Sequence, residues 1–313
     1  MNYRTLGSTD LRVSEISFGA WQLGNNSDWG GMDDSAAHDL VAAAINQGIN
    51  LFDTAPNYAG SRSEALLGEA LAGQRQQLIL VSKFGHRPDG SQDYSVDALW
   101  KSLEESLIRL KTDFLDVLLI HNPPATTYAA DEAIWPALEK AKQQGKIRHY
   151  GASLDFADEI EACLNNTGSE VLEILFNIMH QDVRRAFPLV KEKHAGLIAK
   201  VPLDSGWLTG RFNAQNTFKG VRKRWSADDI NQRAKLVASL SGITSQDRSQ
   251  THTALAFLLA YPEVSCVIPG VRNQQQLLDN LGAVNCTIKR SEQRALEQFW
   301  DELTDDGSNL LPW

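Results

Sequence analysis

The stretch "NLFDTAPNYAGSRSEALLGEALAG", residues 50–73, contains a short apolar run, a polar bend and a longer segment with helical spacing. A β-rich run followed by a turn and a helix is typical of one unit of a parallel α/β fold. The apolar run reaches Asp53, and Tyr58 lies on the bend, where a continuing core would favour Val or Leu. A carboxylate and a phenol placed so close to the end of a strand indicate a polar site there.

The same pattern of strand, bend and helix repeats along the chain. Eight β-rich runs are predicted as strands, at 16–20, 50–55, 78–85, 115–122, 148–153, 171–177, 196–202 and 265–270. Helices are predicted after them, at 33–48, 62–73, 95–112, 131–146, 156–166, 186–194, 249–262 and 273–284. Asp34 or Ser35 is expected to cap the first helix and Ser95 the third. Eight such units in about 270 residues favour a (β/α)₈ TIM barrel over a doubly wound open sheet, although both folds use the same unit.

The barrel is predicted to be a single domain over residues 1–313, because barrels of this length commonly form one domain. A β-hairpin is expected at 3–16, ahead of the first barrel strand. The stretch 204–249, after the seventh strand, is too long for a simple connection. It is predicted to be an elaborated loop with its own helix that covers one end of the barrel.

Composition excludes several classes of protein. The net charge of −9 and the pI of 5.3 disfavour a nucleic-acid binder, which needs a basic surface. Cys163, Cys266 and Cys286 lack the spacing of a zinc site or a disulfide framework, so no metal is expected. No run approaches the length of a membrane span and the start lacks a signal-peptide pattern, so no membrane partner and a cytoplasmic location are expected. The oligomeric state is left open.

Four polar residues lie at or just beyond the carboxyl ends of three successive predicted strands: Asp53, Tyr58, Lys83 and His121. Taken singly, each has a structural explanation. Asp53 could cap a helix, and Tyr58 could pack in a loop. Lys83 could extend its charge to solvent from the barrel rim, and His121 could be a core histidine with satisfied hydrogen bonds. Together, Asp53 would keep a buried Lys83 charged, and Lys83 would lower the pKa of Tyr58 from about 10 toward neutrality. The set predicts Tyr58 as a general acid, with His121 orienting a carbonyl oxygen.

Five motifs in register carry a family resemblance: "GINLFDTAPNYAGSRSEALLGEAL", "LVSKFG", "LDVLLIHNP", "YGAS" and "VIPGVRNQQQLLDN". They resemble the motifs of the aldo-keto reductases, in the order found in that family, from about residue 3 to residue 285. The resemblance implies a (β/α)₈ enzyme, without a metal, that moves a hydride between a nicotinamide cofactor and a carbonyl or alcohol. It implies NADPH as the usual cofactor, with NADH possible. It also identifies the same four residues as the catalytic tetrad.

The resemblance also implies a set of cofactor-binding residues: Gly19, Ala20, Asp53, Ser153, Leu203, Ser205, Gly206, Leu208, Gly270, Arg272, Gln276 and Asn280. Among them, Ser153 would bind the carboxamide, although it could instead cap the next helix. Leu203, with its neighbours in "PLDSGWLTGR", would lie against the pyrophosphate. Arg272 would meet the 2′-phosphate, since its planar fork suits a phosphate. A Rossmann domain is not supported, because no G-x-G-x-x-G follows a strand.

Two positions depart from the family pattern near the expected nicotinamide ring. Glu173 stands where the family usually has Gln, and Lys200 stands where many members have an aromatic residue. A lone buried charge would be costly, so the two are predicted to form an ion pair beside the nicotinamide and to count among the cofactor-binding residues. In the alternative, Lys200 turns to solvent and Glu173 points into the helix layer.

The substrate site is predicted from aromatic residues near the strand ends. Trp21 is expected to contact a small-molecule substrate together with Tyr58 and His121. Further aromatic residues could wall the same pocket or simply pack at its rim: Trp29, Trp207 and Trp313. Such a pocket would suit sugars through stacking or apolar aldehydes through burial.

Three functions are consistent with these residues. The first is an NADPH-dependent reductase of aldehydes, ketones or sugars. The second is a sugar or alcohol dehydrogenase that works in the oxidative direction with NAD(P)⁺, and the third is a nicotinamide-binding regulatory subunit with slow turnover. A Schiff-base aldolase that uses Lys83 is disfavoured, because Asp53 would keep that amine charged.

Overall fold

A computed structural model describes residues 1–129, 132–245, 247–305 and 310–311. The described residues form a two-stranded hairpin and an eight-stranded parallel sheet. The hairpin pairs β1 (Tyr3–Thr5) with β2 (Arg12–Ser14). The parallel strands are β3 (Phe18–Gly19), β4 (Leu51–Asp53), β5 (Ile79–Phe84), β6 (Leu115–His121), β7 (Ile147–Leu154), β8 (Val171–Leu175), β9 (Gly196–Lys200) and β10 (Val264–Val267). They follow one another around the sheet in chain order, from β3 to β10.

The sheet closes on itself where the segment leading into β3 meets β10. The backbone N–H of Ser17 donates to the Val267 carbonyl at 2.9 Å, and the Val267 N–H donates to the Glu15 carbonyl at 2.9 Å. Gly19, at the end of β3, forms a parallel β-bridge with Gly270, which lies beyond the end of β10. The predicted (β/α)₈ barrel is therefore confirmed, with the N-terminal hairpin in the predicted place.

Most helices form where the sequence predicts them. They are α1 (Asp34–Asn46), α2 (Arg62–Ala70), α3 (Val96–Arg109), α4 (Ile134–Gln143), α5 (Ala157–Asn166), α6 (Phe187–Lys193), α7 (Ala227–Leu240), α8 (Gln250–Leu259), α9 (Gln274–Gly282) and α10 (Arg290–Thr304). Ser95 caps α3 as predicted, but α1 is capped by Asp33, whose Oδ1 accepts from the Ala36 N–H at 2.7 Å. The predicted caps Asp34 and Ser35 are wrong, because the helix begins one residue earlier. The predicted start of the fourth helix, Asp131, lies outside the described residues.

Helix α10 was not predicted from the sequence. Its apolar face contains the buried Leu296 and Trp300, with Phe299 and Leu303 partly buried against the core. Within the described ranges, no helix combines the length and apolarity that crossing a membrane requires.

The elaborated loop after β9 has a hydrophobic core of its own, in addition to the predicted helix, α7. Trp207 is fully buried, with ring centroids 5.6 Å from Phe212, 5.6 Å from Phe218 and 5.8 Å from Trp225. Trp207 therefore holds the loop together, and its proposed place in the wall of a substrate pocket is wrong. The loop lies at the carboxyl end of the barrel, where its residues line the main cavity.

The amino end of the barrel carries a network of charged side chains around His149 on β7. Its Nε2 lies 3.1 Å from Asp10 Oδ1 on the hairpin connection, and its Nδ1 lies 3.0 Å from Glu170 Oε1. Burial alone would lower the pKa of His149, but the hydrogen bonds to Glu170 and Asp10 outweigh it and raise that pKa. Protonated His149 therefore ties the hairpin to the barrel.

A group whose pKa is raised on folding stabilises the folded protein. The stabilisation is complete below the pKa that the group has in the unfolded chain, and it is lost as the pH rises through the folded-state pKa. His149→Gln should therefore reduce the free energy of unfolding more at about pH 5 than at about pH 9. The difference should be about 1.5 kcal/mol, the lower end of the range for a hydrogen bond to a charged group. Urea denaturation at the two pH values measures it.

His38→Gln provides the control. His38 Nε2 also lies near a carboxylate, 3.4 Å from Glu69 Oε2, but the two side chains are 38% and 47% exposed. The control substitution should change the unfolding free energy by no more than a few tenths of a kcal/mol at either pH, as expected for an exposed pair. An equal loss at both pH values for His149→Gln would show that the charge on His149 contributes nothing.

Candidate active site

The structure brings the four predicted catalytic residues together at the carboxyl end of the barrel. Asp53 ends β4, Lys83 lies one residue before the end of β5, and His121 ends β6. Tyr58 opens a short 3₁₀ turn after β4. The Lys83 Nζ lies 2.6 Å from Asp53 Oδ2 and 3.5 Å from the Tyr58 hydroxyl, and the Tyr58 and His121 rings meet edge to face at 6.0 Å.

Lys83 is fully buried and is surrounded by acceptors. Besides Asp53, it donates to the Thr54 carbonyl at 3.1 Å. On the far side of the barrel interior, Glu173 Oε2 lies 3.1 Å from the same ammonium. Lys83 therefore links β4, β5 and β8, and it has two carboxylate partners where the sequence predicted one.

The predicted ion pair between Glu173 and Lys200 is wrong. Glu173 pairs with Lys83, whereas the Lys200 ammonium lies 2.8 Å from Asp155 Oδ1. Ser153 stands between them, since its hydroxyl donates to Glu173 at 3.0 Å and accepts from Lys200 at 2.8 Å. The strand register explains the difference, because Glu173 pairs with Ile198 while Lys200 lies two residues further along β9.

The two carboxyl groups beside Lys83 differ in their proton affinity. Burial, and then the charge of Glu173, raise the pKa of Asp53 well above its usual value, against the opposing charge of Lys83. Burial would also raise the pKa of Glu173, but the charges of Lys83 and Lys200 outweigh it and hold that pKa below its usual value. Burial would lower the pKa of Lys83, yet Asp53 and Glu173 raise it, so the ammonium stays charged.

The expected shift of Tyr58 toward neutrality is wrong. Burial raises the pKa of Tyr58 above its usual value, and the opposing charge of Lys83 does not reverse this. Asp53 and Glu173 lie beside Lys83, and the negative charge of each raises the pKa of Tyr58, against the effect of Lys83. The phenol is therefore protonated at neutral pH, as a proton donor must be.

His121 is held as a neutral ring. Burial, and then the charge of Lys83, lower its pKa well below the usual histidine value. The His86 ring stacks on it at 4.3 Å with 14° between the planes. Among the described residues, the buried Nδ1 of His121 has no hydrogen-bond partner.

A cavity of about 590 Å³ opens above these residues. The predicted site residues that line it are Gly19, Trp21, Asp53, Tyr58, His121, Glu173, Lys200, Leu203, Ser205, Gly206, Gly270, Arg272, Gln276 and Asn280. Lys83 and Ser153 are fully buried and hydrogen-bond to residues of this lining. Ala20 and Leu208 are buried in the hydrophobic core and do not line the cavity. Their contact with a cofactor stays a prediction.

The aromatic residues predicted near the substrate take different places. Trp21 stacks on Tyr58 with ring centroids 6.0 Å apart, and Trp29 meets Trp21 edge to face at 5.1 Å. Both line the cavity. Trp313 lies outside the described residues.

Positive charge is concentrated at one part of the cavity lining, where Arg211, Arg222 and Arg272 are found. The sequence analysis identified Arg272 alone. Arg222 packs over the Trp29 ring at 4.7 Å and donates from Nε to the Ser205 carbonyl at 2.8 Å. Burial, and then the neighbouring charges of Arg272 and Arg224, lower the pKa of Arg222 to about 10. The basic run "VRKRW" inside the elaborated loop was the signal that could have identified it.

These features fit a dinucleotide. Three guanidinium groups suit phosphates, which arginine binds through charge-assisted hydrogen bonds. Asn280 is 3% exposed, and its buried amide nitrogen has no partner among the described residues, so it can donate to a bound base. The described residues contain no group of three or more His, Cys, Asp or Glu side chains placed to hold a metal ion.

Comparison with known proteins agrees with this geometry. L-galactose dehydrogenase of Arabidopsis thaliana is 32% identical over 291 residues, covering 90% of this chain and 87% of the relative. A protein named "Probable voltage-gated potassium channel subunit beta", from Oryza sativa subsp. japonica, is 29% identical over 311 residues, covering 91% of this chain and 92% of the relative.

Among solved structures, the holo form of an aldo-keto reductase from Bacillus halodurans is 27% identical, with a TM-score of 0.81 and 96% of each chain covered. The sequence model of the Aldo/keto reductase family matches residues 15–301. The chain is therefore an oxidoreductase of the aldo/keto reductase family.

Proposed function

We propose that this chain is an NADP(H)-dependent carbonyl reductase of the cytoplasm, with Tyr58 as its general acid. The observation that carries the proposal is the position of the Tyr58 hydroxyl. It lies beside a buried ammonium, Lys83, and next to a neutral imidazole, His121, on the lining of the main cavity. A protonated phenol with a charged donor behind it can give a proton to a carbonyl oxygen.

Each residue of the tetrad has a distinct role in this proposal. Tyr58 transfers its proton to the substrate oxygen, and Lys83 stabilises the phenolate that forms. Asp53 fixes Lys83, and His121, which lines the cavity, orients the carbonyl. The nicotinamide dinucleotide, when bound, supplies the hydride that reaches the carbonyl carbon.

The arginine-lined part of the cavity supports NADPH as the preferred form of the cofactor. Arg272 is exposed at this lining, and its backbone N–H donates to Gln276 Oε1 at 2.9 Å. Its guanidinium forms no hydrogen bond with another described residue. Its guanidinium is therefore available for a 2′-phosphate. Arg222 and Asn280 would add contacts to the phosphates and the base.

A hydroxylated carbonyl compound such as a sugar suits the rest of the cavity. Trp21 and Trp29 provide ring faces, and Asn57 provides a buried amide oxygen that has no partner among the described residues. The named activity of the Arabidopsis relative, on L-galactose, supports this class and also keeps the oxidative direction as a second candidate. A regulatory subunit is the third candidate, because the rice relative bears the name of a channel subunit.

Removal of the acid tests the catalytic assignment. Tyr58→Phe should lower the turnover of NADPH-dependent carbonyl reduction by at least about a hundredfold, the usual contribution of a positioned acid. NADPH binding, followed by fluorescence titration, should stay close to that of the original protein. Turnover is followed by absorbance across a panel of aldehydes, ketones and sugars.

Tyr150→Phe is the matched control, because the Tyr150 hydroxyl lies 3.3 Å from Glu139 and the residue does not line the cavity. Its turnover should match that of the original protein. Near-native rates for Tyr58→Phe on several carbonyls would show that another group donates the proton.

Cofactor preference is tested at the arginines. Arg272→Ala should weaken NADPH binding by about 1.5 to 3 kcal/mol, the range for a hydrogen bond to a charged group, and leave NADH binding nearly unchanged. Calorimetric titration with both cofactors measures the two affinities. Arg294→Ala, at an exposed position on α10, is the control and should alter neither. An equal loss for both cofactors in Arg272→Ala would contradict a 2′-phosphate contact.

A further inference from the structure

Lys83 has two carboxyl partners where a single one would neutralise it. Asp53 Oδ2 lies 2.6 Å and Glu173 Oε2 3.1 Å from its ammonium, and each of the three side chains is exposed by 3% or less. Both carboxyl groups therefore face one buried ammonium. A hydrogen bond between the two would require a proton on one of them, because an ionised carboxylate is solely an acceptor.

The charge balance of the cluster favours such a proton. Two ionised carboxylates around one ammonium would leave an uncompensated negative charge on buried side chains, at a cost of several kcal/mol. When two carboxyl groups share such a site, one of them binds its proton much more tightly. A proton on the pair makes the cluster neutral.

Among the described residues, no other group neutralises the second carboxylate. Lys200 on β9 helps to lower the pKa of Glu173. Its own charge is matched by Asp155, however, and the Ser153 hydroxyl lies between it and Glu173. His121 on β6 is neutral, since burial and the charge of Lys83 lower its pKa. Burial raises the pKa of Cys266 on β10 to about 12, so that thiol is uncharged as well.

We propose that Asp53 and Glu173 share one proton beside Lys83, and that this proton returns to Tyr58 through Lys83 after Tyr58 has protonated the substrate. The second half of the proposal rests on the proposed function. The first half is a property of the protein without cofactor or substrate.

The proton movements balance within the cluster. The O–H bond of Tyr58 breaks as its proton goes to the carbonyl oxygen, while the hydride from the reduced nicotinamide goes to the carbonyl carbon. Lys83 then gives one N–H proton to the Tyr58 oxygen and takes the proton shared by Asp53 and Glu173, which are left ionised. Because Glu173 lines the cavity, the pair regains a proton from solvent once product has left.

Infrared spectroscopy of the cofactor-free protein tests the shared proton. At neutral pH, the original protein should show the carbonyl band of one protonated carboxyl group, and ¹³C labels placed in Asp and Glu side chains should shift it. Glu173→Gln should abolish the band, because Asp53 alone with Lys83 ionises. Absence of a label-sensitive band in the original protein, or its survival in Glu173→Gln, would overturn the proposal.

Glu64→Gln is the matched control. Glu64 is also fully buried, and it pairs with Arg109 at 2.7 Å and accepts from Ser82 at 2.7 Å. The other carboxylate near Arg109, Glu105 at 3.8 Å, is 47% exposed and so is solvated rather than buried. The band should persist in this variant. The labelled original protein alone decides the question if either variant fails to fold.

Single-turnover kinetics with a pH indicator test the return of the proton. In the original protein, proton uptake from solvent should lag behind NADPH oxidation, whereas in Glu173→Gln the two should coincide. Coincident phases in the original protein would overturn the return step. Failure to oxidise NADPH with any carbonyl would count against the proposed function instead, while the infrared result would still decide whether the proton is shared.

Discussion

The buried ammonium of Lys83 is the constraint on which the active site depends. A cation with no exposed surface is tolerated only if its protons are accepted by nearby groups, because its desolvation costs several kcal/mol. Those acceptors come from β4 and from β8, which lies three strands away from β5 in the sheet order. The barrel must therefore close with the correct register before the site exists. The Lys83 side chain thus couples the folding of the barrel to the assembly of the site.

The same cluster accounts for the behaviour of Tyr58. Carboxyl groups that hold Lys83 charged also cancel its effect on the phenol, so Tyr58 remains a protonated donor rather than a phenolate. This protonation state is the one that the proposed reduction requires of Tyr58. Elsewhere on the cavity lining, Arg211, Arg222 and Arg272 provide positive charge. The cavity thus combines proton chemistry with anion binding.

The sequence was sufficient to predict the strands, the barrel, the hairpin and the proximity of Asp53, Tyr58, Lys83 and His121. These depend on periodicity and on the rule that strand ends share one face of the barrel. It could not predict that Glu173 reaches Lys83 across the interior, since strand register and side-chain reach are set by packing. Arg222 was missed because long loops carry no periodic signal. Helix α10 was missed because it follows another helix rather than a strand, and so lies outside the repeating pattern of strand and helix.

Neutron diffraction from crystals of the cofactor-free protein at neutral pH tests the central claim most directly, because it reveals hydrogen positions. The account predicts a hydrogen on the Tyr58 oxygen, three on the Lys83 nitrogen and one between Asp53 and Glu173. A bare Tyr58 oxygen, or two carboxylates without a hydrogen beside Lys83, would contradict it.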